Sequence, residues 1–320
     1  MRAWQVTSLD SDPVQTRLAD PVPAEGEVLV RVSAVGLNFA DLLMAAGRYQ
    51  TRPALPFIPG MEFSGTVIAV APGGTGPAPG TRVLGISGTG ALADRICIAA
   101  DNLAVLPDGM SMTDAAAFPI AYATAHLALT HKARLGPGET LFVTGAAGGV
   151  GLTAVEIGKR LGARVIASAR GDAKLAVARA AGADHLIDSD APGLKDTLRA
   201  LGGVDVVFDV VGGPAFDAAL RATRPDGRLL AIGFASGQVP QVAANLLLVK
   251  NLTVSGWWLG GYQASAPALV SHSLTTLLGW HADGGLRPHI SHVMAFDSYP
   301  QALEQLRSRA TTGKVVVTLE

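Results

Sequence analysis

One cysteine, Cys97, is all the thiol that the chain of 320 residues carries. A lone thiol excludes an internal disulfide framework and a four-cysteine zinc lobe. Flanked by Ile96 and Ile98, it reads as a core thiol in a strand and not as a nucleophile. Charge is thin as well. Charged residues are only 16% of the chain, with a net charge of −1 and no long basic run, so no nucleic-acid surface is expected. Long apolar runs are also missing. Residues 115–129 come nearest to a membrane span, but the stretch is short, alanine-rich and interrupted by Pro119 and His126. A packed helix suits it better than a bilayer. The opening MRAWQVTSLD is strand-like and has no apolar signal-peptide core. The expectation from these absences is a soluble, cytoplasmic protein with neither membrane nor nucleic acid as partner. What the chain has in quantity is apolar material: 49% of residues are hydrophobic, enough for two packed cores in 32.7 kDa.

The remaining chain is organised around residues 139–170, ETLFVTGAAGGVGLTAVEIGKRLGARVIASAR. Residues 140–144 are a short apolar run, as expected of a strand buried on both faces of a parallel sheet. Against the dinucleotide fingerprint G-x-G-x-x-G, Ala146 takes the first glycine position, Gly148 the second and Gly151 the third. Gly148 leaves room for a pyrophosphate, and Gly151 lets the following helix lie close to the strand. The helix over 149–161 turns its free N–H groups and positive dipole end toward that pyrophosphate. A glycine turn alone is weak, since such turns also simply join strands to helices. Here strand, turn, helix and second strand follow one another within about thirty residues, as the motif demands.

The end of the second strand, residues 163–169, bears on which nucleotide binds. NAD sites place an acid there for the ribose 2′-hydroxyl. This chain has Arg170, nineteen positions beyond Gly151, and Lys174 one helical turn on. A guanidinium suits a 2′-phosphate through charge and paired hydrogen bonds, so NADPH is the favoured cofactor. Asp172 is a counter-argument, because it could serve the ribose instead. Arg170 and Lys174 also remain open to reading as solvated loop charges.

Residues 1–112 look all-β, with apolar or alternating runs between Gly/Pro breaks such as PGGTGPAPG. The exception is 38–46, NFADLLMAA, where Phe39, Leu42, Leu43 and Ala46 fall at helical spacing. From Ser111 the composition becomes helical, with Thr113 the expected N-cap and Pro119 a bend. After the fingerprint, short apolar strands and helices alternate, which argues for a doubly wound parallel sheet with helices on both faces. The turns at 209–213 and 233–237 each follow a strand and so sit at its carboxyl edge, where ligands bind in this architecture. The segments beyond Lys250 are expected to return to the amino-terminal domain.

The sequence resembles the zinc-independent quinone oxidoreductases of the medium-chain dehydrogenase/reductase superfamily, the zeta-crystallin-like group, over essentially its full length. GLNFADLLMAAGRY at 36–49 is similar to the family's signature, and PFIPGMEFSGTV, GAAGGVGLTAVEIGKRLGA and the terminal TTGKVVV match in order. The resemblance implies an α/β protein with a GroES-like, mostly-β catalytic domain from 1–116 and 256–320. A Rossmann NADP(H)-binding domain at 117–255 would be inserted between them, with the active cleft at the junction. Where zinc-dependent relatives carry a thiolate and an imidazole, this chain has Asn38 and Met61, an amide and a thioether that are poor zinc ligands. Glu62 remains, but one carboxylate is not a site. His289 and His292 fall on opposite faces of a strand. No catalytic metal is therefore expected.

Resemblance also implies that Asn38, Asp41 and Tyr49 lie near the nicotinamide and substrate. Asn38 offers donor and acceptor alike, and Tyr49 a hydroxyl for a developing oxyanion. Each has a plain alternative: Asn38 as a helix cap, Asp41 on a polar helix face, Tyr49 as packing. For the cofactor the resemblance implies Thr124, Gly148, Gly149, Val150, Gly151, Ser168, Lys174, Val211, Gly212, Ile232, Gly233, Phe234 and Lys314. Several members carry a tyrosine for the adenosine phosphate end after GADHLI, where this chain has Asp188-Ser189, so more weight rests on Arg170 and Lys174. The implied activity is NADPH-dependent hydride transfer to quinones or similar conjugated carbonyls. An enoyl reductase acting on unsaturated ketones or acyl-CoA, and an NADPH-binding structural protein, are its rivals. A homodimer is expected, paired along the apolar strand LTVSGWW.

Overall fold

Six strands, the central ones apolar and buried and the edge ones less so, make one parallel sheet in the order His185–Asp188, Arg164–Ala169, Thr140–Val143, Val204–Asp209, Thr223–Ala231, Thr253–Gly256. Numbered along the chain, that order is 3-2-1-4-5-6, the arrangement of a dinucleotide-binding fold. It reverses direction between Thr140–Val143 and Val204–Asp209, and the carboxyl ends flanking that reversal are where such sheets take ligands. All four residues of Thr140–Val143 are buried. On one face Phe142, Ile166, Val207, Phe216, Leu220 and Leu229 pack into one core. Each contributes on the order of 1.5–3 kcal/mol through burial of its side chain.

The second sheet is mostly antiparallel and follows the order Ile290–Ala295, Lys314–Thr318, Glu27–Leu37, Glu62–Val70, Arg82–Ile86, Leu103–Val105, with Arg95–Ala99 also pairing with Glu27–Leu37. Both chain ends contribute to it, because Val315 lies opposite Leu37 and Val317 opposite Val35. The alternation of Glu27–Leu37 sends Val28, Val30 and Val32 into a core with Phe63, Leu92, Tyr299 and Val315.

The computed structural model describes residues 1–319. The chain divides into two compact units, Met1–Ile120 with Tyr262–Glu320, and Ala121–Gly261. The breaks fall four residues after the expected 116 and six after the expected 255, the first of them inside the helix Pro119–Leu127. Among the described residues no helix is long and apolar enough to cross a membrane.

The structure departs from the local sequence expectations at Thr113, Pro119 and Cys97 and in two short helices. The helix Met112–Ala116 is capped by Ser111, whose hydroxyl accepts from the Asp114 N–H at 3.0 Å, so Thr113 lies inside the helix. Pro119 opens the next helix, Pro119–Leu127, where its missing N–H costs nothing. Cys97 is half-buried and not a core thiol: Ile96 and Ile98 take the core face of Arg95–Ala99, and alternation puts Cys97 on the other. Burial and the Glu27 charge push its thiol pKa up, away from nucleophilic character. The helices Ala244–Lys250 and Leu259–Ser265 were not anticipated at all.

Candidate active site

Three strand ends in the mostly-β unit bring together residues far apart in sequence. Glu27–Leu37 ends just before Asn38, Glu62 lies opposite Gly36 in register, and Lys314 precedes Val315, the partner of Leu37. The Lys314 ammonium donates to Glu62 Oε1 at 2.7 Å, Asn38 Oδ1 at 2.8 Å and the Leu37 carbonyl at 2.7 Å. Asn38 Nδ2 donates to the same Glu62 oxygen at 2.8 Å, while Glu62 Oε2 accepts the Ile120 N–H at 2.7 Å. Glu62, Lys314 and Asn38 are all buried. Gly36 makes the approach possible, since a Cβ there would lie 2.1 Å from the Ala116 carbonyl oxygen and 3.0 Å from Glu62 Oε1. Removing one partner from such a pair leaves a buried charge uncompensated, at a cost of about 3–5 kcal/mol.

Asn38 also sits at the N-cap of the helix Phe39–Ala45, and Asp41 Oδ2 reaches back to accept its backbone N–H at 2.8 Å. Asn38 stands at the N-cap position, but the Asp41 N–H goes to its backbone carbonyl at 2.9 Å, which leaves its carboxamide to the buried cluster. Asp41 is not on a polar helix face. It is buried, with Oδ1 lacking a hydrogen-bond partner. Burial pushes its pKa up to about 7 against the opposing Asn38 N–H and Lys314 charge, with the Glu62 charge adding to the rise. Burial, then the charge of Asp41, raises the buried Tyr299 phenol well above its ordinary range. Tyr49 is half-buried and packs with Met61 against Val6, Met44 and Phe57.

In the parallel-sheet unit the remaining expected positions, Thr124 apart, gather at strand carboxyl ends. Gly148 caps the helix Gly149–Arg160, with Gly149 and Val150 in its first turn. A Cβ on Gly148 would meet only the Gly145 carbonyl oxygen, at an ordinary 3.4 Å, whereas one on Gly151 would meet that oxygen at 2.3 Å. The protein itself therefore needs glycine at Gly151, whereas Gly148 has room for a Cβ at ordinary contact distance. The buried Ser168 accepts the Ala146 N–H through its carbonyl at 2.9 Å, which ties the turn to the second strand. Asp209 accepts from the Thr144 hydroxyl at 2.5 Å and from the Gly212 and Val211 N–H groups at 2.8 and 3.3 Å, fixing the turn after its strand. The Asp209 carbonyl takes the Ile232 and Gly233 N–H groups at 2.9 and 3.3 Å, while Phe234 is exposed. Thr124 is buried in the helix Pro119–Leu127.

Arg170 caps the helix Gly171–Ala180 and pairs through Nε with Asp190 at 3.1 Å, with side chains 76% and 60% exposed. Partial burial, then the nearby Arg170 charge, lowers the Lys174 pKa. The two cations are near enough for the charge of one to bear on the other, and Arg170 shares its carboxylate with solvent. Lys314, expected with these residues, belongs to the other unit.

Two partners escaped the sequence reading. Glu62 was set aside as a lone carboxylate, and Asp190 was not considered. Glu62 did carry a signal, since a charge inside the apolar strand Glu62–Val70 must find a partner, and Lys314 at the head of KVVVT poses the same question. Among the described residues no group of three or more His, Cys, Asp or Glu could hold a metal ion. His289 and His292 meet the Thr312 and Ser291 hydroxyls instead.

A 3-2-1-4-5-6 parallel sheet, inserted in a mostly-β unit with a buried polar cluster, is the build of a two-domain dehydrogenase or reductase. Residues 24–108 match the alcohol dehydrogenase GroES-like domain, and residues 149–274 the zinc-binding dehydrogenase family. Quinone oxidoreductase-like protein 2 of Bos taurus is 39% identical, over 92% of this chain and 85% of that protein. The human synaptic vesicle membrane protein VAT-1 homolog is 30% identical, over 96% of this chain and 83% of that protein. A quinone oxidoreductase from Thermus thermophilus, solved together with its NADPH complex, is 37% identical with a TM-score of 0.88 over the whole of both chains. The chain belongs to the quinone oxidoreductase family of the medium-chain dehydrogenase/reductase superfamily.

Proposed function

We propose that the protein is a zinc-independent reductase that uses NADPH to reduce quinones or similar conjugated carbonyl acceptors. The observation that carries the reading is the Asn38–Glu62–Lys314 cluster. At positions where the zinc-dependent relatives hold thiolate and imidazole, this chain offers an amide and the thioether of Met61, and the carboxylate beside them is already neutralised by an ammonium. Polarisation of an acceptor then falls to hydrogen bonds, which is enough for acceptors that take hydride readily.

The parallel-sheet unit fits NADPH. Gly148, which the fold itself does not require to be glycine and which stands ahead of a twelve-residue helix, suits a pyrophosphate, and Arg170 and Lys174, near each other, suit a 2′-phosphate. The Thermus relative solved with NADPH supports the same choice. Bound NADPH supplies a hydride, and a quinone that takes it with one proton becomes a hydroquinone. Residues Gly148–Gly151, Ser168, Val211, Gly212 and the 232–234 turn hold the nucleotide, with Thr124 in support. Asn38, Asp41 and Tyr49 serve the acceptor and the nicotinamide end. A homodimer along Thr253–Gly256 belongs to this reading, because that strand lies at the sheet edge and the adjoining Leu248 and Val249 are 78% and 73% exposed.

The test is consumption of NADPH with a panel of quinones, enones and 2-enoyl thioesters. Turnover with quinones is expected. Turnover confined to enoyl thioesters replaces this reading by enoyl reduction, and tight NADPH binding without any turnover replaces it by a binding role. Light scattering at micromolar concentration checks the dimer, which a monomer contradicts.

A further inference from the structure

The hydrogen-bonding capacity of the buried cluster is almost entirely used up within the protein. Lys314 has three N–H donors and meets three acceptors at 2.7, 2.8 and 2.7 Å. Asn38 Nδ2 has two donors, one aimed at Glu62 Oε1 at 2.8 Å and the other toward the Gly36 carbonyl at 3.4 Å. Chemistry fixes which end of the carboxamide is which. Turned over, its oxygen would face the Glu62 carboxylate and its NH2 group the Lys314 ammonium. After this count no N–H of Asn38 or Lys314 is left for a ligand. One lone pair on Asn38 Oδ1 is left, on a residue that remains 8% exposed.

We propose that Glu62 and Lys314 are positioning residues that lock the Asn38 carboxamide, so that Asn38 meets a bound ligand only as a hydrogen-bond acceptor. The groups it takes are O–H or N–H donors, such as a ribose hydroxyl, a carboxamide NH2 or a newly formed hydroquinone hydroxyl. It does not donate to a developing oxyanion. Lys314 acts through Asn38 and not on a cofactor phosphate, for which it has no N–H to spare. This rests on the reductase reading for its consequence in turnover, but the lock itself is a property of the folded chain.

Two measurements test it. In deuterated, 15N-labelled protein the Asn38 side-chain NH2 signals, assigned by their loss in Asn38→Ala, should exchange slowly with solvent. They should exchange at least tenfold faster in Glu62→Gln/Lys314→Met. In that pair of changes no charge is orphaned, and a glutamine accepts either orientation of the amide. Free exchange in the parent protein overturns the lock whatever the turnover. The second measurement is kinetic. Lys314→Met alone should lower both the melting temperature and kcat. The double variant should regain the melting temperature while kcat stays at least tenfold down, with the KM for NADPH within about twofold. Asn38→Ala should cost tenfold or more in the parent and almost nothing further in the double variant. Recovery of both melting temperature and kcat in the double variant, or an undiminished cost of Asn38→Ala there, overturns the proposal. A protected amide in a protein that reduces no acceptor would sink the reductase reading and leave the lock standing.

Discussion

The two units treat their charged side chains in opposite ways. In the mostly-β unit Glu62 and Lys314 are buried and bonded to each other and to Asn38, so their geometry is fixed before any ligand arrives. In the parallel-sheet unit Arg170 stands 76% exposed and shares a screened carboxylate, Asp190. A buried pair specifies position but is expensive to break, whereas an exposed pair adds little stability and is cheap to redirect. The first arrangement suits a site where atoms must be aimed. The second suits a phosphate reader that exchanges one anion for another.

The sharpest way to break the comparison is to orphan one charge in each unit. Lys314→Met should destabilise by about 3–5 kcal/mol, read as a large fall in denaturation midpoint. Asp190→Asn should stay within about 0.5 kcal/mol of the parent. Similar costs at both positions would erase the distinction.

Next in size is the pH dependence contributed by Asp41. Its pKa in the folded state is about 7, above its value in the unfolded chain. The folded protein therefore holds the extra proton across the interval between them. That stabilisation is complete below the unfolded pKa and is lost as pH rises through about 7, at roughly 1.4 kcal/mol per pH unit within the window. Asp41→Asn should flatten urea-unfolding stability between about pH 4 and 7. An unchanged slope would mean that the buried carboxyl titrates normally.

The fingerprint glycines carry the contrast inside one turn. Gly151→Ala would force a contact 2.3 Å from the Gly145 carbonyl oxygen and should cost about 1–3 kcal/mol in stability. Gly148→Ala should leave stability nearly unchanged and weaken NADPH binding, measured by fluorescence titration. Smallest of all, Asp190→Asn should tighten NADPH by a few-fold, an effect that fades with added salt, because it removes only a screened competitor for Arg170.

What the sequence disclosed and what it hid follow from how local each feature is. The dinucleotide turn was legible because strand, glycines and helix are contiguous, and the alternation after it announced the parallel sheet. Arg170 was legible because its place is counted from the turn, although its partner Asp190 was not, lying twenty residues further on. The cluster was not legible, since Asn38 meets Glu62 across 24 residues and Lys314 across 276, and only strand register joins them. Glu62 was consequently left without a role, and Lys314 was placed by resemblance alone, with no sign of its partners. The helix Ala244–Lys250 was missed because in ANLLLVK the apolar residues run together, Leu246 and Leu247 packing on the core while Leu248 and Val249 are exposed, so no helical period shows. Cys97 was misplaced by reading its apolar neighbours as its own environment, when alternation in a strand implies the reverse.

The central claim is that the protein reads the 2′-phosphate of NADPH through Arg170. Paired titrations of the parent and of Arg170→Glu with NADPH and NADH test it most directly. The account predicts that the parent binds NADPH at least tenfold more tightly than NADH, and that the substitution removes this preference by weakening NADPH alone. Equal affinities in the parent, or an equal loss for both nucleotides in the variant, would contradict it.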